Sequence, residues 1–251
     1  MRSFAALFAA LPLPWPFERE YMQLALAAGL IVGACAPLIG TFLVQKRLSL
    51  LGDGIGHVAF AGVAAGLLAD VWPIWTALVA AVAAAVTIEW LRTRGRASGD
   101  LALALFFYSG IAGGVVLSGL AGSLNAGTLT YLFGSILTLD RTDAITVSVL
   151  GALIVGSIAV AWRALFSIIL DEEAARVSGL PVDPLNLSLA ALTAVTVVAA
   201  MRIVGVLLVA ALMVLPVGAA QRITRSFGAT LLAASAIGAA SAVAGLGAAR
   251  Q

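Results

Sequence analysis

Charged side chains are scarce in this sequence: Asp, Glu, Lys and Arg make up 10% of its 251 residues. Soluble domains carry about 25%, so the chain lacks the polar surface that would cover a water-soluble globule. Histidine is scarcer still, with His57 the only one. Cys35 is the single cysteine, which excludes an internal disulfide and leaves the redox compartment undetermined. There is no Gly-rich phosphate-binding loop ending in Lys and Ser or Thr, so the chain does not hydrolyse ATP by that route. No internal repeat, low-complexity tract or soluble domain stands out. The net charge of +2 does not indicate nucleic acid, because the charges sit in short loops between apolar segments.

Apolar residues fill the space that charge leaves, at 62% of the chain. The composition predicts an all-α, polytopic transmembrane bundle. Runs near the length of about 20 residues that a bilayer requires predict eight spans, at 21–43, 51–69, 72–91, 101–120, 143–165, 186–200, 203–221 and 227–247. Abundant Ala and Gly let such helices pack closely. Pro37 and Pro216 fall inside spans and predict kinks. The segment 121–142 is too polar for a plain span and predicts a loop with a short re-entrant or surface helix around 129–137. Residues 1–20 are basic, then apolar, then broken by Pro12, Pro14 and Pro16. They read as an N-terminal interfacial segment anchored by Trp15, with a signal peptide as the alternative. Residues 21–251 then form one transmembrane domain.

Topology follows from the basic residues. Lys46, Arg47, Arg92, Arg94, Arg96, Arg163, Arg176, Arg222 and Arg225 follow the first, third, fifth and seventh spans. They are nine of the 14 basic residues, and alternating helices put all of them on one side. The positive-inside rule makes that side cytoplasmic. The N-terminus and the 121–142 segment then lie outside.

His57 belongs to the run Leu51-Gly52-Asp53-Gly54-Ile55-Gly56-His57. Residues four apart share one face of a helix, so Asp53 and His57 point into the same space. An ionisable pair is costly in lipid and belongs in a protein interior or a water-filled path. Carboxylate oxygen and imidazole nitrogen are also ligands for divalent transition metals. Taken singly, each residue has a plainer reading: Asp53 as an N-cap, His57 as a hydrogen-bonded interior group. Together they predict contact with a metal ion. Two ligands are few, and a second copy of the chain could supply another pair. Ligands must be deprotonated to hold metal, so metal handling should weaken as pH falls through the histidine range.

One loop on the basic side is unlike the others. Asp171-Glu172-Glu173-Ala174-Ala175-Arg176-Val177-Ser178-Gly179-Leu180-Pro181 reads as a short helix with acids first and Arg last, which suits the helix dipole. Gly179 is a C-cap candidate and Pro181 prevents continuation. Such a helix is either a solvated connection or a docking element for a cytoplasmic partner.

The run Gly40-Thr41-Phe42-Leu43-Val44-Gln45-Lys46-Arg47-Leu48-Ser49, continuing through Gly52-Asp53 to His57, resembles a signature of zinc and manganese ABC-transporter permeases. Further matches follow in order: Gly62 to Gly66, Tyr131-Leu132-Phe133-Gly134-Ser135-Ile136-Leu137, Asp171 to Gly179, Met201 to Leu208, and Leu215 to Ala220. The chain most resembles the membrane subunit of bacterial high-affinity zinc importers. The resemblance implies a multi-pass permease of the bacterial cytoplasmic membrane, homodimeric and not itself an enzyme. Its cargo would be Zn²⁺ or a similar divalent metal, with no resident cofactor. Its partners would be a cytoplasmic ATP-binding subunit dimer and an extracytoplasmic metal-binding protein. Asp53 and His57 would line the metal path. Asp171, Glu172, Ala174, Ala175 and Gly179 would serve ATPase coupling in a helix at about 171–180. Family members run further, so the resemblance implies that the family's last span is missing here. Val58 and Ser135 replace the family's usual Ala and acid, with Asp140 and Asp143 near the latter.

Two other classes remain at this stage: an ATPase-independent secondary metal transporter or channel, and a non-transporting scaffold. Elsewhere, Glu89 is expected at the surface or paired with Arg92, Arg202 snorkelling or paired with an acid, and Tyr131 and Phe133 in packing. Asp70 and Trp72 mark the outer interface.

Overall fold

The computed structural model describes residues 20–95, 99–122, 126–134 and 141–248, and all regular structure among them is helical. The helices are α1 (Glu20–Gln45), α2 (Leu51–Leu68), α3 (Pro73–Thr93), α4 (Gly99–Leu120), α5 (Ala126–Phe133), α6 (Arg141–Leu170), α7 (Glu172–Val177), α8 (Val182–Val204), α9 (Val206–Ile223) and α10 (Phe227–Ala248). All but α5 and α7 are long and apolar enough to cross a membrane, which gives the eight expected spans. The interfacial reading of residues 1–20 falls almost wholly outside the described residues.

The boundaries shift where helix competes with charge. Helix α6 runs on to Leu170 instead of ending near 165, and α8 begins at Val182 instead of 186. Charges near a span end extend beyond the hydrocarbon without ending the helix, because the backbone bonds continue regardless. Arg202 does not break the chain between α8 and α9. Gly205 does, with φ of +84°. A Cβ there would lie 2.5 Å from Gly134 N, so two glycines seat the end of α5 against this break. The short helix in the 121–142 segment begins earlier than expected and ends at Phe133.

Small residues set the packing. A Cβ on Gly33 of α1 would sit 2.7 Å from the Gly238 carbonyl of α10, and one on Gly238 would sit 2.1 Å from the Gly33 carbonyl. The two backbones touch, as close packing in lipid favours. Ile39, Phe42, Ile55, Val63, Val197 and Met213 are fully buried between the helices. Large apolar side chains such as Val160, Leu215 and Leu232 face outward. That is the distribution expected where the surroundings are lipid rather than water.

The helices alternate, and side-chain contacts show which loops share an end. Lys46 after α1 meets Glu172 of α7 and Asn186 of α8. Phe42, Trp162, Phe166 and Phe227 join α1, α6 and α10 in an aromatic cluster nearby. At the other end, Arg202 of α8 pairs with Asp143 of α6 at 2.9 Å.

Candidate metal path and coupling helix

The geometry of Asp53 excludes its plainer reading. Leu50, not Asp53, is the N-cap of α2, and no side chain caps that end. Asp53 sits inside the first turn, where a carboxylate is favoured by the helix dipole. One turn on, His57 Nε2 lies 3.7 Å from Asp53 Oδ1. That is too long for a hydrogen bond. Two ligand atoms each about 2.1 Å from one ion at a tetrahedral angle lie about 3.4 Å apart. The pair is therefore spaced much as two ligands of one cation would be. Neither side chain is sealed: the Asp53 side chain is 32% exposed and that of His57 12%. Among the described residues no group of three or more His, Cys, Asp or Glu side chains converges. The pair stands as two protein donors.

Helix α4 forms the wall beside the pair. Phe107 meets the imidazole edge to face, with ring centroids 4.6 Å apart. Three residues on, a Cβ at Gly110 would lie 2.7 Å from Val58 N and 2.8 Å from the His57 carbonyl carbon. Only Gly lets α4 approach the backbone that carries His57. The sequence marks Gly110 as one glycine among many, and nothing in it pairs Gly110 with His57.

The short helix α7 is capped at both ends. Asp171 is its N-cap, and its carboxylate accepts from Glu173 N at 2.9 Å and Ala174 N at 3.0 Å. Gly179 has φ of +83°, Gly179 N donates to Arg176 O, and Leu180 N donates to Ala175 O, each at 3.1 Å. This is a Schellman ending, which favours Gly at the left-handed position. Arg176 pairs with Asp183 at 2.6 Å. Of the five residues expected to serve coupling, Ala175 is buried and Glu172 turns toward Lys46 and Asn186. Ala174 is on the free face with Glu173, Arg176 and Val177, the last 86% exposed. Val177 is an apolar residue left exposed beside Arg176, which the sequence alone does not show.

The remaining candidates fall into place. Glu89 is buried and accepts two hydrogen bonds from Arg92, at 2.7 and 3.0 Å. Arg202 pairs with Asp143, as an acid partner was expected, and its Nη1 also lies 3.4 Å from the Tyr131 hydroxyl. Tyr131 is packed but polar in role, whereas Phe133 is 66% exposed and is not a packing residue. Asn125, Ser135 and Asp140 lie outside the described residues.

Comparison with known proteins decides the family. The model of the ABC 3 transport family matches residues 18–250. The chain belongs to that family. The ABC 3 chain is 28% identical over 207 residues to the high-affinity zinc uptake system membrane protein ZnuB of Haemophilus influenzae, covering 82% of this chain and 79% of that protein. It is 30% identical over 228 residues to the manganese transport system membrane protein MntC of Halalkalibacterium halodurans, covering 90% and 78%. Among solved structures it resembles a chain of PsaBC from Streptococcus pneumoniae in complex with Fab, with a TM-score of 0.79, 28% identity, and coverage of 96% and 83%. The protein is thus a multi-pass permease subunit of the bacterial inner membrane and not an enzyme; ATP hydrolysis belongs to a separate subunit.

Proposed function

We propose that this permease forms a homodimer that imports a divalent transition metal, with Zn²⁺ as the first choice, by alternating access. The observation that carries the reading is the Asp53–His57 pair, two donors suited to such ions 3.7 Å apart on a buried helix of the bundle. The relatives named for zinc uptake and manganese transport support the same class of cargo. Incomplete coordination by one chain suits a carrier, which must release what it binds. Water or a second copy of the chain completes the set.

A metal-binding protein delivers the ion on the extracytoplasmic side. A cytoplasmic ATP-binding subunit dimer docks on α7 and drives the conformational change. In this reading the free face of Glu173, Ala174, Arg176 and Val177 meets that subunit. Asp171, Ala175 and Gly179 hold the helix in place, and Glu172 faces away from the subunit toward Lys46 and Asn186.

The test is uptake of radioactive zinc by the reconstituted complex. His57→Ala and Asp53→Ala each reduce ATP-driven uptake to background while the complex still assembles. Uptake near the wild-type rate in both variants would sink the metal-path reading. Uptake that persists without any ATP-binding subunit would instead favour a secondary transporter.

A further inference from the structure

Lys46 is a charge in an unfavourable place. Its side chain is only 6% exposed, at the end of α1. Burial lowers its pKa, and Glu172 opposes that shift. Lys46 Nζ lies 3.5 Å from Glu172 Oε2 and donates to Asn186 Oδ1. Asn186 Nδ2 in turn donates to Glu172 Oε1 at 2.8 Å. The three side chains close a triangle that joins the end of α1, helix α7 and the start of α8. Glu89, held by Arg92, lines the same small cavity as Lys46 and Asn186. Lys46 is the buried member and Glu172 the half-exposed one; removing Glu172 leaves a buried charge without compensation, so the triangle moves as a unit or breaks at a cost.

The chain beyond Lys46 has no slack. Leu48 N donates to Leu43 O at 2.8 Å, Leu51 N to Leu48 O at 2.9 Å, and Gly54 N to Leu50 O at 3.0 Å. Helix α2 starts at Leu51 and carries Asp53 in its first turn. One side of α7 is therefore connected to the metal-bearing helix by the Lys46–Glu172 ion pair, its Asn186 bridge and one hydrogen-bonded turn.

We propose that Lys46 is the positioning residue through which α7 sets the place of α2, and with it Asp53 and His57. Glu172 is the handle on α7, and Asn186 fixes the geometry between them. The inference rests on the reading above, in which α7 receives the ATP-binding subunit and Asp53 and His57 the metal. Displacement of α7 by that subunit pulls on Lys46, and the closed turn passes the displacement to α2.

The experiment uses the full complex in proteoliposomes with Zn²⁺ as the probe. It measures zinc transported per ATP hydrolysed, together with zinc binding and co-purification of the ATP-binding subunit. Glu172→Gln keeps the shape and the Asn186 contact but loses the charge. Lys46→Met keeps the apolar stem. Each single variant lowers zinc per ATP about tenfold, within the span of ordinary coupling energies. The double variant loses no more than either one, since the pair acts as a unit. Zinc binding and co-purification stay as in the wild type. If Lys46→Met does not assemble, the exposed location of α7 leaves Glu172→Gln to carry the test. Wild-type stoichiometry in Glu172→Gln, additive losses, or a loss that tracks dissociation of the ATP-binding subunit would each overturn the inference. A wild-type complex without zinc-stimulated hydrolysis would overturn the functional reading itself, and the inference with it.

Discussion

Gly110 and Gly113 show how finely a single residue is constrained beside the metal pair. Both lie on α4 and neither has a side chain, yet their surroundings differ. A Cβ at Gly110 would meet backbone atoms of His57 and Val58 at 2.8 and 2.7 Å, and backbone cannot rotate away. A Cβ at Gly113 would meet only the Ala61 Cβ, at 3.9 Å, an ordinary contact. Gly110→Ala therefore forces α4 off α2 at a cost of roughly 1–3 kcal/mol, the usual scale of overpacking. It also moves Phe107 off the imidazole and lowers zinc uptake. Gly113→Ala leaves uptake unchanged and gains a few tenths to about 1 kcal/mol from helix propensity. Thermal unfolding in detergent and uptake in proteoliposomes check both. Equal behaviour of the two variants would show that the α2–α4 approach is not what places His57.

At the scale of the element, α7 is a helix too short to be stable alone. Its form depends on the Asp171 cap and on the Gly179 ending. Nothing lies within 4 Å of a Cβ placed on Gly179, so substitution there carries a purely conformational cost. Gly179→Val must adopt φ near +83°, which costs a non-glycine residue roughly 1–2 kcal/mol; a β-branched one is worse placed still. Gly179→Asn is better tolerated, because Asn visits that region. We expect Gly179→Val to weaken binding of the ATP-binding subunit and zinc-stimulated hydrolysis, with zinc binding intact, and Gly179→Asn to stay close to wild type. Normal subunit binding by the valine variant, measured by co-purification, would remove α7 from the docking reading.

For the whole molecule, the decisive property is orientation. The end of α1, the end of α3 and the loop holding α7 converge at one end, as the contacts of Lys46, Glu172 and Asn186 and the cavity that Glu89 lines with Lys46 and Asn186 show. The positive-inside rule makes this end cytoplasmic. Cys35 is buried, so a Cys35→Ala background allows single cysteines to report sidedness. In permease produced without its ATP-binding subunit, Val177→Cys reacts with a membrane-impermeant maleimide only in inside-out vesicles, and Trp72→Cys only in intact spheroplasts. The reverse pattern would invert the topology and place α7 outside.

Much of this was written along the chain because it depends on local order alone. Span number follows from apolar run length, orientation from Lys and Arg, and the shared face of Asp53 and His57 from the helical repeat. The caps of α7 follow from Asp171 before it and Gly179 after it. Residue 51 is legible as the start of the span, but Asp53 as its N-cap is not excluded by local order; the backbone decides that, with Leu50 as the cap. Contacts between distant segments have no such local trace. The Lys46–Asn186 bond spans 140 residues, and the Gly134–Gly205 and Gly110–His57 approaches depend on how helices cross. Those crossings are decided by which small residues meet in three dimensions. A chain with 26 glycines offers many such meetings, and only the packed bundle selects among them.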